Sequence, residues 1–298
     1  MPDSSPTHPS PELVSVVIPC LNAAGTLGLQ LEALARQRTD RPYEVIVADN
    51  GSTDGTAAVV AAYRDRVPGL RLVDASRRRS SNTARNEGTA AAGGEMVLLC
   101  DADDVVADDW LEALARGLEQ ADAVGGPLEY VELNPDFVAQ WGEHQGQGGM
   151  AVQLGFLPRP VGANAGFRKS VWEKLGGFDE DYVRGGPETE FFWRLQLAGH
   201  SLLEVPEAVV HYRLRSSFKA LVRQMYVWGR QSPMLYRQFR EHGMPRNSRE
   251  SARMWLWLVK HLPDLLGKDP YARLKWCRQA AYRVGRIVGS VSYRVVYP

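Results

Sequence analysis

Short apolar runs alternate with helical patterns through the first part of the chain. The run at 13–19, Leu-Val-Ser-Val-Val-Ile-Pro, is apolar at nearly every position, as is typical of a parallel strand covered on both faces. The spacing predicts strands at 13–19, 43–48, 70–73 and 96–100. It predicts helices around 27–35, after 54, at 82–92 and at 109–120. This order predicts an α/β fold, with an open, doubly wound, mostly parallel sheet that carries helices on both faces.

Polar clusters follow three of the predicted strands, at 19–22, 49–54 and 101–104. The carboxyl ends of parallel strands meet at one edge of a sheet, and ligands of such folds bind there. We therefore expect the three clusters to share a binding edge. The residues after the first strand, Pro-Cys-Leu-Asn-Ala-Ala-Gly, match neither the dinucleotide fingerprint nor the phosphate loop of nucleoside triphosphatases.

The third cluster offers metal ligands. Strand side chains repeat every second residue, so Asp101 and Asp103 are expected to project from one face, with Asp104 turned to the other. Two carboxylates on one face suit Mg²⁺ or Mn²⁺. The alternative is a solvated turn that caps the next helix.

Composition indicates a globular chain without a targeting segment. The 298 residues are 44% hydrophobic, enough for one principal domain with an appendage. Residues 1–12, rich in Pro and Ser, are predicted to be disordered, and they carry neither a basic start nor an apolar core of a signal peptide. Three widely spaced cysteines, Cys20, Cys100 and Cys277, favour reduced structural thiols. We expect a cytoplasmic protein without a transmembrane helix.

Charge is strongly asymmetric although the net charge is zero. Residues 211–298 contain 18 Lys and Arg against 4 Asp and Glu, which leaves 17 against 31 for residues 1–210. The basic part also holds four Trp and seven Tyr, a combination that suits an anionic membrane surface. The predicted apolar stripe is Met254, Trp255, Trp257, Leu258 and Leu262, and the predicted headgroup contacts are Arg283, Arg286 and Arg294. Packing against the acidic part is the alternative, and no motif indicates nucleic acid.

Six motifs in chain order resemble those of the family 2 glycosyltransferases, which are nucleotide-sugar-dependent enzymes of the GT-A fold. The matching blocks are 14–22, 49–54, 84–86, 101–103, 168–180 and 188–194. Three positions depart from the family pattern: Leu21 replaces a Tyr, Asn50 replaces the second Asp of the turn, and Pro187 replaces a Glu. The resemblance implies a GT-A domain at 13–210, with a nucleotide-sugar-binding half at 13–104 and an acceptor-binding half at 105–210. A basic, aromatic, helical C-terminal region at 211–298 follows it.

The resemblance also implies roles for particular residues. The expected nucleotide-sugar contacts are Pro19, Asn22, Asp49, Asn50, Ser52, Arg85, Asn86, Asp101, Ala102 and Asp103. The expected ligands of Mn²⁺ or Mg²⁺ are Asp101, Asp103 and His211. Glu188 is the expected catalytic base, with Glu190 as the alternative, and the expected acceptor-side residues are Trp141, Asn164 and Glu190. Simpler alternatives are that Glu188 and Glu190 favour a helix N-terminus and that His211 is an ordinary core or surface residue.

The predicted reaction moves a sugar from a nucleoside diphosphate, with a UDP-sugar as first candidate, to a glycan, lipid-linked or small-molecule acceptor. A single base implies inversion, and a peripheral position on the inner face of the membrane would suit a lipid-linked acceptor. Two alternatives remain open: a sugar nucleotidyltransferase, and a non-catalytic module that binds sugar nucleotides or membranes. The sequence does not indicate the sugar or the oligomeric state.

Overall fold

A seven-stranded mixed sheet forms the centre of the computed structural model, which describes residues 12–135, 138, 150–182 and 187–298. The strands are β1 (Val14–Cys20), β2 (Tyr43–Asp49), β3 (Arg71–Asp74), β4 (Met96–Cys100), β5 (Val105–Val106), β6 (Ala123–Gly125), β7 (Leu128–Glu129), β8 (Met150–Gln153), β9 (Leu157–Pro160), β10 (Asn164–Arg168), β11 (Leu202–Glu204) and β12 (Val210–His211). The order in the main sheet is β11-β6-β10-β4-β1-β2-β3. β4, β1, β2 and β3 are parallel, whereas β10 runs antiparallel to β4 and β6.

Helices cover both faces of this sheet. They are α1 (Leu27–Ala35), α2 (Thr56–Tyr63), α3 (Ser81–Ala91), α4 (Trp110–Leu118), α5 (Lys169–Leu175), α6 (Pro187–Leu197), α7 (Phe218–Phe239), α8 (Ser248–Lys260) and α9 (Pro270–Ser292). α3 lies very close to the sheet at Gly88, where an added Cβ would be 2.4 Å from Val17. Ser80 caps α3 by accepting a hydrogen bond from the backbone N–H of Asn82.

Alternation along β1 separates two apolar cores. Val14, Val16 and Ile18 join the core under α1 and α4, whereas Val17 belongs to the core on the opposite face. The second core contains aromatic side chains from β10 and α6, including Phe167 and Phe191 with ring centroids 5.3 Å apart. Because every second residue of a strand faces the same way, a strand apolar throughout is buried on both faces.

The predicted fold class is therefore confirmed. The four predicted strands occur within one residue of their expected limits, and the helices predicted at 82–92 and 109–120 are observed as α3 and α4. Two small elements complete the domain: a three-stranded sheet in the order β5-β12-β7 and the β8–β9 hairpin.

The basic C-terminal region is helical and packs against α6 through apolar contacts. Trp193 of α6 lies edge-on to Phe239 of α7, with ring centroids 5.3 Å apart, and Tyr182 and Tyr297 are buried in the same cluster. Gln238 donates a 2.8 Å hydrogen bond to Glu190 across this contact. Among the described residues, none of the helices combines the length and apolar character needed to cross a bilayer. The domain limits at 12, 104 and 210 stay predictions.

Candidate active site

The carboxyl ends of β1, β2 and β4 lie side by side, as expected for the binding edge. Cys20 pairs with Asp49 in the register of β1 and β2, and Asp101 follows β4. A cavity of about 790 Å³ opens at this edge. Pro19, Asn50 and Asp101 line it, together with Arg85 of α3. The parallel sheet therefore brings residues of all three polar clusters to one cavity.

The loops after β1 and β2 are joined by hydrogen bonds from residues predicted to bind the nucleotide sugar. Asn22, at φ 54°, accepts a 2.8 Å bond from the backbone N–H of Thr53 and donates its own N–H to Ser52 Oγ. Asp49 accepts a 2.9 Å bond from the N–H of Ser52. The Asn50 amide donates to the carbonyls of Ala75 and Arg78 and accepts from the N–H of Ser80. These side chains shape the edge, and their contacts with a nucleotide stay predictions.

Three carboxylates gather after β4. One oxygen from each of Asp101, Asp103 and Asp104 lies within 4.8 Å of the others. Asp103 is exposed, whereas Asp104 is buried and accepts a 2.7 Å hydrogen bond from the N–H of Arg213. Its Oδ2 is buried without a partner among the described residues. An orphaned carboxylate oxygen beside two further carboxylates is a donor set that fits a hard divalent cation.

Burial also raises the proton affinity of this cluster. It raises the pKa of Asp101 to about 6, although the Arg85 guanidinium opposes the shift. Burial and the two neighbouring aspartates raise the pKa of Asp104 well above its ordinary value. Desolvated carboxylates of like charge either take up a proton or bind a cation. Ala102, between the aspartates, is buried in the core.

Arg85 links the aspartates to Glu188. Its side chain is 6% exposed, and its Nη2 lies 3.6 Å from Asp101 Oδ1, while its Nη1 lies 3.9 Å from Glu188 Oε2. Nε and Nη1 of Arg85 have no hydrogen-bond partner among the described residues. Glu188 lies in the first turn of α6 and also pairs with Arg159 at 3.2 Å. Asp101, Arg85 and Glu188 thus line the same cavity.

The comparisons with known proteins agree with this geometry. The chain matches the model of Glycosyl transferase family 2 over residues 15–176 and that of Glycosyl transferase family group 2 over residues 96–276. The first match covers more than half of the sequence. The chain belongs to glycosyltransferase family 2. This membership confirms the predicted glycosyltransferase rather than a nucleotidyltransferase.

Two relatives and one structure show the extent of the similarity. Glycosyltransferase AglE of Haloferax volcanii is 28% identical over 72% of this chain and 71% of its own length. The N-acetylglucosaminyl-diphospho-decaprenol L-rhamnosyltransferase of Mycobacterium tuberculosis is 31% identical over 60% of this chain and 69% of its own. The mannosyltransferase PcManGT of Pyrobaculum calidifontis, solved with GDP-Man and Mn²⁺, has a TM-score of 0.62 at 22% identity, covering 94% of this chain and 87% of that one. This last match concerns the fold.

Three predicted site residues of the transferase have structural roles instead. Asn164 is fully buried: it accepts from Trp110 Nε1 at 2.8 Å and donates to the carbonyls of Pro127 and Ala208. Every polar atom of its amide is thereby used. These bonds give Asn164 a structural role, and its contact with an acceptor stays a prediction.

Glu190 and Asn86 also make structural contacts. Glu190 has a 1% exposed side chain and accepts from Arg194 Nη2 at 3.0 Å, one turn along α6. Asn86 donates to the carbonyl of Phe178 and accepts from the N–H of the same residue, so it anchors the loop after α5. The predicted roles of both residues at the binding site stay predictions. Of the two candidate bases, Glu188 is the one that lines the cavity.

His211 lies in a second acidic cluster. Its register partner in β7 is Glu129, and its Nδ1 lies 2.9 Å from Glu129 Oε2 and 3.1 Å from Glu132 Oε2. The structure groups these three residues separately from Asp101, Asp103 and Asp104. A place for His211 in the aspartate metal shell stays a prediction. Trp141 lies outside the described residues.

Sequence reasoning missed a large part of the cavity wall. Tyr130 and Tyr212, whose rings meet edge-on at 5.9 Å, line it beside the aspartates, and Arg159 lines it beside Glu188. The three C-terminal helices also contribute, with Gln224 and Trp228 of α7, Met254 of α8, and Arg278 and Arg283 of α9. The alternating basic and aromatic composition of 211–298 is the sequence signal for these residues, although the same composition also suits a membrane surface.

Proposed function

We propose that this transferase moves a sugar from a nucleoside diphosphate to an acceptor hydroxyl with inversion, and that Glu188 is the base. The observation that supports it is the Asp101, Arg85 and Glu188 arrangement in one cavity. The acceptor hydroxyl must lose a proton as it attacks, and Glu188 is the carboxylate on the wall that faces the aspartate edge. Arg159 orients its carboxylate through the 3.2 Å ion pair. A single base gives one displacement and therefore inversion.

Asp101 and Asp103 would hold Mn²⁺ or Mg²⁺, with the buried Asp104 behind them. When bound, such a cation offsets the negative charge that develops on the departing nucleoside diphosphate. Arg85 adds a fixed positive charge beside Asp101 that needs no reorganisation during the reaction. A UDP-sugar is the first donor to test. The name of the mycobacterial relative describes a lipid-linked diphosphate acceptor, which makes a lipid-linked acceptor our first choice here.

A panel of nucleotide sugars tests this proposal. Turnover is expected with one donor in Mn²⁺ or Mg²⁺. It should be lost in excess chelator and in Asp103→Ala, because removing one carboxylate that would hold the cation costs orders of magnitude in rate. Glu188→Gln should lower transfer by about 10²–10⁴-fold while the protein stays folded. NMR coupling constants of the product should show the opposite anomeric configuration from the donor. Full activity in chelator, or retention of configuration, would contradict the proposal.

We also propose that α9 rests on an anionic membrane surface. Val284, Ile287 and Val291 recur at helical spacing and are 46, 52 and 75% exposed, which forms an apolar stripe. The surplus positive charge of 211–298 would add roughly 1 kcal/mol for each Lys or Arg near anionic headgroups. Of the stripe predicted around Met254, Trp255 and Leu262 are exposed, whereas Leu258 is buried. The predicted headgroup contacts Arg283 and Arg286 are buried as well.

Sedimentation with vesicles tests this surface. The full chain should bind anionic vesicles at low salt, less at high salt, and neutral vesicles weakly. The double variant Ile287→Asp, Val291→Asp should lose most of this binding, because each carboxylate would enter the headgroup region. Leu29→Asp is the matched control, since Leu29 is an exposed apolar residue on α1. Equal binding by the double variant and the wild type would exclude the α9 stripe.

A further inference from the structure

We propose that the α9 wall of the cavity is a binding site for a phosphate or diphosphate group of the acceptor, with Arg283 and Arg278 as the groups that contact it. The proposal rests on the function given above, in which the cavity holds the acceptor. It adds the residues of this chain that would bind the phosphoryl group of a lipid-linked acceptor.

Arg283 is the residue from which this inference starts. It is 5% exposed and lines the cavity, yet its Nε and Nη1 have no hydrogen-bond partner within the described residues. Arg278, one and a half turns earlier on α9, lines the same wall and also has an unpartnered Nε. A buried guanidinium without hydrogen bonds is costly, so such groups normally have an anion. A planar fork of N–H donors matches phosphate geometry.

The charge around the two arginines stays positive. Arg286 lies on the next turn, 4% exposed, with its guanidinium 3.9 Å above the Tyr297 ring. None of these three arginines forms a salt bridge to an acid in the part of the chain that the structure describes. Glu250 of α8 is the carboxylate that lines this part of the cavity, and it is exposed. One exposed acid does not neutralise two buried guanidinium groups and a third that is half-buried.

The location favours an acceptor over the other phosphates available. The donor diphosphate would lie at Asp101 and Asp103 on the sheet edge, whereas Arg283 belongs to the C-terminal helices. A bilayer headgroup would need an exposed cation, and Arg283 is buried. The next residues along the helix, Val284 and Ile287, are exposed and apolar. A phosphoryl group inside the cavity would contact the buried Arg283, and an apolar chain joined to it would cover the exposed Val284 and Ile287.

Binding of soluble diphosphates to the full chain tests the proposal without donor or metal. Inorganic pyrophosphate and farnesyl diphosphate are titrated in chelator by calorimetry, and the shift in Tm is recorded. Both should bind the wild type and raise its Tm, since a ligand of the folded state stabilises it. Arg283→Gln and Arg278→Gln should each weaken binding at least tenfold. Without ligand, their Tm should equal or exceed that of the wild type, because an unpaired buried cation is removed. Arg273→Gln, an exposed position on the same helix, is the matched control and should bind as the wild type does.

Several results would overturn the proposal. The first is that the wild type binds no diphosphate, and the second is that both arginine variants bind with wild-type affinity. The third is that both variants have a lowered Tm with unchanged affinity, which would make the arginines packing residues. A vesicle-binding experiment distinguishes the phosphoryl group of the acceptor from the phosphate of lipid headgroups. Arg283→Gln should sediment with phosphatidylglycerol vesicles as the wild type does, and a loss confined to vesicles would assign the arginine to headgroups instead. Failure of the proposed reaction would appear separately, as absent metal-dependent turnover of every donor.

Discussion

Arg85 is the residue on which the two halves of the cavity depend. It is buried and faces Asp101 and Glu188, and its Nε and Nη1 have no hydrogen-bond partner in the part of the chain that the structure describes. Gly162 makes room for it, because a Cβ at that position would lie 2.6 Å from Arg85 Nη2. The guanidinium therefore occupies space that is available because residue 162 has no side chain.

We predict that Arg85→Gln lowers kcat/KM for transfer by about 10²–10³-fold, the usual effect of removing one preorganised charge at a reacting centre. Gly162→Ala should lower kcat/KM in the same direction and by less, because it displaces the guanidinium without removing it. Gly25→Ala is the matched control: an added Cβ there meets nothing within 4 Å. Initial rates with a turned-over donor measure all three. If Gly162→Ala were as active as Gly25→Ala, the position of Arg85 would not matter.

At the scale of the elements, the packing of α7 against α9 depends on glycines at their contact. A Cβ at Gly285 of α9 would lie 2.2 Å from the carbonyl oxygen of Tyr226, and a Cβ at Gly229 of α7 would lie 2.0 Å from that of Tyr282. Backbone atoms cannot move aside as a flexible side chain can. The two helices therefore need both glycines to approach this closely.

We predict that Gly285→Ala destabilises the protein by about 1–3 kcal/mol, the typical range for overpacking, and lowers activity because α9 forms a cavity wall. Gly28→Ala is the control, since Gly28 is also inside a helix but its Cβ would make ordinary contacts with Tyr63. There the better helix propensity should stabilise the protein by up to about 1 kcal/mol. Urea unfolding measures both. Equal effects would mean that the helix contact is looser than its distances imply.

The sequence was sufficient for the parallel half of the sheet, and the reason is physical. β1, β2 and β4 are buried on both faces, so their apolar runs are long and unmistakable. β6 has three residues and β10 five, and their antiparallel pairing depends on contacts distant in sequence. No local pattern encodes such a pairing.

The candidate site was predictable only where motif and fold coincide. Glu188 and Glu190 are two residues apart on α6, and composition alone cannot separate them. The i,i+4 pairing of Glu190 with Arg194 was a usable signal that Glu190 is structural.

Arg283 and Arg294 look equivalent in the sequence, yet the first is buried in the cavity wall and the second is exposed. Which face of a helix meets a cavity depends on tertiary packing.

At the scale of the whole molecule, the opposite charges of the two parts are not matched in pairs. Within the described residues, the only salt bridge of a Lys or Arg at 214–298 joins Arg240 to Glu241, its neighbour. The region is instead attached by the apolar cluster around Trp193, Phe239 and Tyr297. Packing against the acidic part, the alternative to a membrane surface, thus occurs without neutralisation by contact pairs.

We predict that a chain ending at Leu214 aggregates, because it leaves Tyr182, Trp193 and Phe156 without the side chains that cover them. Size-exclusion chromatography and binding of a hydrophobic dye measure this. The full chain is the reference under the same buffer conditions. A monodisperse shortened chain that binds no dye would show that the sheet domain is independent of the C-terminal helices.

The cavity is formed by two parts of the chain that are far apart in the sequence, the sheet edge and the C-terminal helices, and this has a consequence during synthesis. Its sheet edge is complete when Asp104 has been translated, whereas the α9 wall requires Arg278 and Arg283. At ~5–20 residues per second, the ribosome delivers the wall roughly ten to thirty-five seconds after the edge. Within that interval, the surface of α6 that later contacts α7 is uncovered from the time α6 is made until α7 follows it. Nascent chains of this transferase are therefore expected to depend on chaperones most while the last helices are still being made.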